Sequence, residues 1–255
     1  MPKVSVTIIT LNEAQNLREA LRSVAWADEI VVVDSGSTDQ TREIARQFTD
    51  RVLAREWPGY SAQKNFAADE ARHDWILSLD ADERVTGELA SDITRMMSGE
   101  PDAHGYRMPR VSQYLGRWLR STDWYPDYQL RLYDRRHGRW NGRPVHESVA
   151  VEGPVGMLRH ELQHHPYRDI SHHVQTIDRY TTLAAQAMFA EGRRTGPLGL
   201  YLHPFAAFLR NALVRKGILD GSAGLTVSAL NSYYVFLKLA KLRELQSGRP
   251  SEHAP

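Results

Sequence analysis

The chain has 255 residues, 42% of them hydrophobic and 25% charged. This is ordinary globular composition, enough for one sizeable core with a smaller appendage. Lys and Arg number 32 against 31 Asp and Glu, so charge points to no polyanionic partner and no nucleic acid is expected. There is no cysteine, which excludes disulfides and thiolate metal sites. The opening Met1-Pro2-Lys3-Val4-Ser5-Val6 enters a strand with no signal-peptide apolar region, so a cytoplasmic protein is expected. No internal repeat or low-complexity segment stands out.

Val4 to Thr10 is β-branched and apolar almost throughout and predicts a buried strand. Asn12 reads as the N-cap of the following helix, with Gln15 as its capping-box partner. Leu17, Leu21 and Val24 mark that helix's inner face. A second strand, Glu29 to Val33, runs into the polar turn Asp34-Ser35-Gly36-Ser37-Thr38-Asp39. The next helix carries Ile44, Ala45 and Phe48 on its apolar side. A weaker strand near Arg51 to Arg55 and a helix near Ser61 to Arg72 lead to Trp75-Ile76-Leu77-Ser78-Leu79-Asp80-Ala81-Asp82-Glu83. That apolar run is too short for a helix and reads as a strand buried on both faces. The β-α-β-α-β-α-β order predicts a parallel, Rossmann-like α/β sheet.

Ligands in open α/β sheets bind beyond the carboxyl ends of the strands. Three strands end there in polar clusters: Thr10/Asn12/Glu13, Asp34 to Asp39, and Asp80 to Glu83. Helix capping can account for Asn12 or Ser37 alone, but three clusters at one sheet edge are better explained by one ligand lying across it. Asp80 and Asp82 repel each other unless a cation neutralises them, and hard oxygen donors suit Mg²⁺ or Mn²⁺. No Gly-x-Gly-x-x-Gly follows the first strand and no Gly-x-x-x-x-Gly-Lys-Ser/Thr occurs. A carboxylate after the second strand can instead accept from a base N–H or ribose hydroxyls. The implied ligand is a substituted nucleoside diphosphate.

Ile8-Ile9-Thr10-Leu11-Asn12-Glu13, Val32-Val33-Asp34-Ser35-Gly36-Ser37-Thr38-Asp39, Gln63-Lys64-Asn65 and Leu79-Asp80-Ala81-Asp82-Glu83 resemble, in order and spacing, the signatures of family 2 glycosyltransferases. The resemblance covers roughly the first hundred residues. It implies a GT-A fold, a nucleotide-sugar donor, a divalent cation and inversion at the anomeric carbon. By position, Asp34 contacts the nucleobase, Asp39 supports its loop, and Thr10, Asn12 and Glu13 line the nucleotide pocket. Asp80 and Asp82 form the ribose- and metal-binding pair. Lys64 is either a diphosphate contact or a solvated helix charge.

From Gly105 to Glu152 the pattern alternates as strands do, and Gln129-Leu130-Arg131-Leu132-Tyr133 puts Leu130 and Leu132 on one face. Trp118, Trp124, Tyr125, Tyr128 and Trp140 crowd this segment beside arginines; such rings suit sugar faces or core packing, and Arg suits phosphate. An inverting transfer needs a base for the acceptor hydroxyl. The family places an Asp or Glu here, often as Glu-Asp, whereas this chain has His146-Glu147. Pro144-Val145-His146-Glu147 after a Gln-x-Arg-Leu strand resembles a subgroup associated with lipopolysaccharide-core glucosylation. Glu147 is the leading candidate base, Asp127 and Asp123 are alternatives, and His146 either orients Glu147 or is the acid-base group itself. In the run His160, His164, His165, His172 and His173, nothing fits a metalloprotease spacing. Some GT-A enzymes use a downstream His as a metal or diphosphate ligand, which makes His165 the candidate.

After Ile170 the chain reads helical, with Ser171 as a cap and a Gly-rich break over residues 192–199. Phe205, Phe208, Leu209, Ala212 and Leu213 form one helical stripe, with Arg210, Arg215 and Lys216 elsewhere. No segment is long enough to span a bilayer, and the stripe suits either packing or peripheral contact with the inner membrane. The expected layout is a nucleotide-sugar half over residues 1–100, an acceptor half over 101–168, helices over 169–246 and a disordered tail over 247–255. The expected activity is transfer of a hexose, glucose foremost, from a nucleoside diphosphate sugar, UDP-glucose foremost, to a hydroxyl of a lipopolysaccharide-core or other lipid-linked glycan. A sugar-phosphate nucleotidyltransferase is a rival, but Thr10-Leu11-Asn12-Glu13 lacks its Gly-rich basic loop. An inactive sugar-nucleotide-binding scaffold is the other rival, against which stand Asp80, Asp82 and Glu147.

Overall fold

A computed structural model describes residues 1–142 and 147–248. Its elements run β1 (Val4–Thr10), α1 (Ala14–Ser23), β2 (Glu29–Asp34), α2 (Thr41–Ala45), β3 (Val52–Ala54), α3 (Tyr60–Glu70), β4 (Trp75–Asp80), β5 (Glu83–Val85) and α4 (Gly87–Met97). Strands β6 (Gly105–Tyr114), β7 (Arg117–Leu119), β8 (Asp127–Asp134), β9 (Gly138–Trp140), β10 (Val149–Val151), β11 (Val155–Met157) and β12 (Leu162–His164) follow. The chain ends in α5 (Ile170–Ala190), α6 (Pro197–Leu209), a π turn (Arg210–Val214), a 3₁₀ turn (Gly217–Asp220) and α7 (Gly221–Gln246).

Two compact units result, one of Met1–Val111 with Asp127–His165, the other of Ser112–Pro126 with the chain from Pro166 onward. In the first, the sheet order is β3-β2-β1-β4-β8-β6-β12-β5. Strands β3, β2, β1 and β4 are parallel, and β8 turns the direction by pairing antiparallel with β4. Strands β1, β2 and β4 are buried on both faces, as their continuous apolar runs require, while the edge strand β3 is partly exposed. Val4, Val6 and Ile8 with Leu77 and Leu79 enter one core cluster, while Ile9, Val31, Val33 and Ile76 enter the other. This alternation is the period of two of a pleated strand carried through a two-sided sheet.

Leu130 and Leu132 do not share a face. The β6–β8 register passes from Tyr106↔Leu132 to Arg107↔Leu130, so Arg131 is the extra residue of a β-bulge. A bulge shifts the alternation by one residue; Leu132 accordingly packs in one core cluster and Leu130 against the other.

In the second unit Ser112–Tyr114, the end of β6, pair with β7, and Tyr114 and Leu119 pack with Ala223 and Val227 of α7. That packing gathers Ser112–Pro126 with the helices. Asp169, not Ser171, caps α5 by accepting from the His172 N–H at 2.7 Å. Gly224 lets α7 start hard against the 3₁₀ turn, because a Cβ there would lie 2.0 Å from the Gly217 carbonyl oxygen.

Candidate active site

Parallel registers bring the three polar clusters together. Thr10 is opposite Asp34, and Ile9 is opposite Asp80, so the carboxyl ends of β1, β2 and β4 lie side by side. Asn12 is not a helix cap. It adopts φ 54°, its N–H donates to Ser37 Oγ at 2.9 Å, and its amide oxygen accepts from the Thr38 N–H at 2.9 Å. The residue at the cap position of α1 is Glu13, which makes no side-chain cap bond. Asp39 reaches across to accept from the Ala14 N–H at 3.2 Å and also binds Thr41. Burial pushes the Asp39 carboxyl up, and the hydrogen bonds from Thr41 and Ala14 more than offset it, leaving the group below its ordinary value. These bonds lock the loop after β1 to the loop after β2.

Asp34 is buried, and its Oδ2 accepts from the N–H groups of Gly36 and Ser37 at 3.0 and 2.9 Å. Gly36 sits at φ +95°, a conformation that side chains resist. Among the described residues the other carboxylate oxygen, Oδ1, has no protein partner, and neither do Thr10 Oγ1, Ser61 Oγ and Gln63 Oε1. Buried polar atoms are normally hydrogen-bonded. Orphans at the ends of β1 and β2 and in the first turn of α3 are what a polar ligand's donors and hydroxyls would satisfy.

Successive residues on a helix point about 100° apart, and Gln63-Lys64-Asn65 of α3 uses this to reach three partners. Gln63 Nε2 donates to Ser35 Oγ at 3.0 Å. Asn65 clasps the Trp140 backbone with two bonds of 3.1 and 3.0 Å. Lys64 is buried, not solvated; its Nζ lies 2.7 Å from Asp80 Oδ1 and 4.2 Å from the centroid of the Trp140 ring.

Asp80 also accepts from Arg131 Nη2 at 2.6 Å. The same Arg131 nitrogen meets Glu83 Oε1 at 2.7 Å, Arg110 Nη1 meets that oxygen at 2.8 Å, and Arg110 binds Asp127 at 2.6 and 2.9 Å. A chain of alternating charge thus runs Lys64–Asp80–Arg131–Glu83–Arg110–Asp127. Burial pushes the Asp80 carboxyl up, but Arg131 and Lys64 dominate and hold it far below the carboxylate range. Asp80 is therefore an anion clamped between two cations. The sequence reading missed Arg110 and the role of Arg131. The signal for Arg131 was a charged residue inside an otherwise apolar strand; Arg110 gave none.

Glu147 is half-buried, and its carboxyl is raised above its ordinary value first by burial and then by the Asp80 charge, against the opposing pull of Lys64 and Arg131. It shares the electrostatic neighbourhood of the clamp. His146 lies outside the described residues. Asp127 is bound by Arg110 and Gln129, and Asp123, in the second unit, by Arg210 and Asn211.

Asp82 is engaged differently from Asp80. Its Oδ2 faces His164 Nε2 at 3.4 Å, and its carbonyl accepts from the His165 N–H at 2.9 Å. Antiparallel pairing of β12 with β5 sets this up by placing His164 opposite Glu83. Burial, with the Arg84 and His164 charges, pushes the His165 imidazole down to about 4, so it is neutral at pH 7. A carboxylate is a donor that suits Mg²⁺ or Mn²⁺. Among the described residues no three such side chains form a ready cage. The set fits cations that take one or two protein carboxylates and complete their shell from substrate phosphates.

The Glycosyl transferase family 2 model matches residues 5–152. The chain belongs to this family. It is 30% identical to the lipopolysaccharide core biosynthesis glycosyltransferase LpsC of Rhizobium meliloti, over 98% of this chain and 97% of that one. It is also 30% identical to an uncharacterized glycosyltransferase of Rickettsia typhi, over 96% and 88%. Among solved structures, the mannosyltransferase PcManGT of Pyrobaculum calidifontis, in complex with GDP-Man and Mn²⁺, superposes with a TM-score of 0.53 at 17% identity, over 95% of this chain and 87% of that one. The glycosyltransferase thus has the expected GT-A fold. Among the described residues no helix is long and apolar enough to cross a membrane.

Proposed function

We propose that this glycosyltransferase moves a hexose, glucose foremost, from a nucleoside diphosphate sugar to a hydroxyl of a lipopolysaccharide-core or other lipid-linked glycan, with inversion. The observation that carries the reading is Glu147, a half-buried carboxylate with a raised pKa in the field of the Lys64–Asp80–Arg131 clamp. Glu147 accepts the acceptor's hydroxyl proton as the new O–C1 bond forms and the bond from C1 to the diphosphate oxygen breaks. Asp34 Oδ1 and Thr10 Oγ1 hold the nucleoside, and the bonds of Asn12 and Asp39, with the Glu13 N–H donating to Thr41 Oγ1 at 2.8 Å, keep that pocket from rearranging. Asp80, fixed by its two cations, orients the ribose, and Lys64 lies beside the diphosphate. Asp82 with His164 or His165 would hold a divalent cation, which when bound supplies Lewis-acid stabilisation of the departing diphosphate. The lipopolysaccharide-core relative and the GDP-Man and Mn²⁺ complex of the structural neighbour support the acceptor class, donor class and cation.

Calorimetry with UDP-glucose, UDP-N-acetylglucosamine and GDP-mannose, with Mn²⁺ and after EDTA, tests this. One donor should bind tightly only with the cation. Asp34→Asn keeps an acceptor for Gly36 and Ser37 but turns the other oxygen into a donor. A hydrogen bond to a charged group is worth about 1.5–3 kcal/mol, so the donor KM should rise roughly 10- to 100-fold with little change in kcat. A pure kcat loss, or donor binding indifferent to EDTA, would refute the assignment.

A further inference from the structure

Helix α6 is apolar nearly all round, a pattern that ordinarily means burial on every side. It is buried on one side only. Pro204 and, in the π turn, Asn211 face inward, and the Pro204 carbonyl accepts from Ser232 Oγ of α7 at 2.8 Å. Leu198, Tyr201, Leu202 and Phe205, at spacings of three, four and seven, are between 54% and 71% exposed. Leu209 and Leu213 continue the stripe, and Val214, Ile218 and Leu219 extend the exposed apolar surface around the turn. The sequence-predicted stripe is thereby split, because Ala212 is buried and Phe208 half-buried. A contiguous exposed apolar patch of this kind marks an interaction surface.

Its charge pattern says what it meets. Residues 192–219 contain Arg193, Arg194, Arg210, Arg215 and Lys216 and neither Asp nor Glu, in a chain whose net charge is only +1. Arg210 and Arg215 share one carboxylate, Asp123, and Arg193 lies 3.8 Å from Glu191, so a positive excess remains. A two-fold contact between copies would set this patch against itself, cation against cation. An apolar face flanked by Arg and Lys instead matches the boundary between anionic headgroups and acyl chains.

We infer that the α6 face, from Leu198 to Leu219, docks the glycosyltransferase on the surface of an anionic phospholipid bilayer, with Leu202 and Phe205 entering the acyl boundary and Arg215 and Lys216 meeting phosphates. The inference stands independently of the proposed transfer reaction.

The test is co-sedimentation of the full chain with vesicles of phosphatidylcholine containing phosphatidylglycerol, and with pure phosphatidylcholine, over a salt series. The protein should partition to the anionic vesicles and be released by salt. Leu202→Glu with Phe205→Glu should lower the partition coefficient roughly 100-fold or more. Arg215→Glu with Lys216→Glu should lower it roughly 25-fold, at about fivefold per cation lost. Circular dichroism and donor binding should be unchanged in both. Failure of the wild-type chain to bind anionic vesicles overturns the inference. So does a wild-type dimer that Phe205→Glu dissociates while vesicle binding persists, which would make the face a self-association surface.

Discussion

The carboxyl edge of the first unit's sheet and the outer face of α6 in the second depart from the hydrophobic rule in opposite senses. At the sheet edge, Glu83, Arg131 and Lys64 are buried though charged; on α6, leucines and aromatics are exposed though apolar. The sheet edge can keep its charges because each is answered by another at 2.6 to 2.8 Å. Among the described residues nothing answers the exposed α6 side chains in the same way. Local consistency tends to fail where a protein has work to do. Here one failure is internally compensated and fixes geometry, and the other is left open to an outside partner.

The sharpest break in this comparison is Glu147→Gln, which removes a proton acceptor beside the clamp without disturbing the clamp. A general base contributes roughly 10²–10⁴-fold, so transfer should fall by that factor while donor affinity stays nearly constant. Because the Glu147 pKa is raised, activity should be lost, as pH falls, at a pH above the ordinary glutamate value, and the variant should lack that limb. Steady-state rates across pH check both points. Near-normal transfer in the variant would move the role away from Glu147; Asp127, tied to Arg110, is a poor substitute.

Arg131→Met tests compensation itself. Arg131 bridges Asp80 and Glu83 from a buried bulge, and its removal leaves two carboxylates facing each other with one cation fewer. Breaking a buried ion pair from one side costs about 3–5 kcal/mol. Urea unfolding should show a loss of that size. A loss below about 1 kcal/mol would mean that water reaches the site and that the clamp is not a structural unit.

The parallel half of the sheet was legible because each strand is a continuous apolar run ending in polar residues, and the parallel register then forces Thr10, Asp34 and Asp80 together. The family signatures supplied the roles expected of them. Arg131 was hidden because its orientation depends on a bulge, and alternation read from Gln129 to Tyr133 assumes a regular strand. His164 was hidden for a related reason. Its approach to Asp82 depends on β12 pairing with β5, about 80 residues apart in sequence, and local pattern holds no information on that pairing. Asn12 misled because Asn serves equally as a cap and as a left-handed loop residue. The stripe read from periodicity, Phe205 to Leu213, is split in the structure, with Ala212 buried and Phe208 half-buried, because periodicity alone does not say which of two apolar faces the rest of the protein covers.

The smallest expected effect belongs to the second unit's buried histidine. His173 is 3% exposed, its Nδ1 lies 3.0 Å from the Tyr114 hydroxyl, and its ring stacks on Tyr167 with centroids 3.9 Å apart. Burial, with the His172 charge, pushes its pKa down from 6.5 to about 4. The unfolded chain therefore binds a proton at this residue as pH falls through 6.5, whereas the native protein does not until about 4. Between those values the unfolded state holds more protons, so His173 makes stability fall with falling pH, with a slope of at most about 1.4 kcal/mol per pH unit. Below about 4 both states are protonated and the slope vanishes. Gln at position 173 can still bond Tyr114 but does not titrate and loses the stacking, which is worth about 0.5–1.5 kcal/mol. His173→Gln should thus be slightly less stable than the wild type at neutral pH and lose less stability on acidification. The difference between the two unfolding curves, taken pH by pH, cancels the other titrating groups. A difference that does not change with pH would show that His173 has the same pKa folded and unfolded, and that the aromatic packing around it admits water.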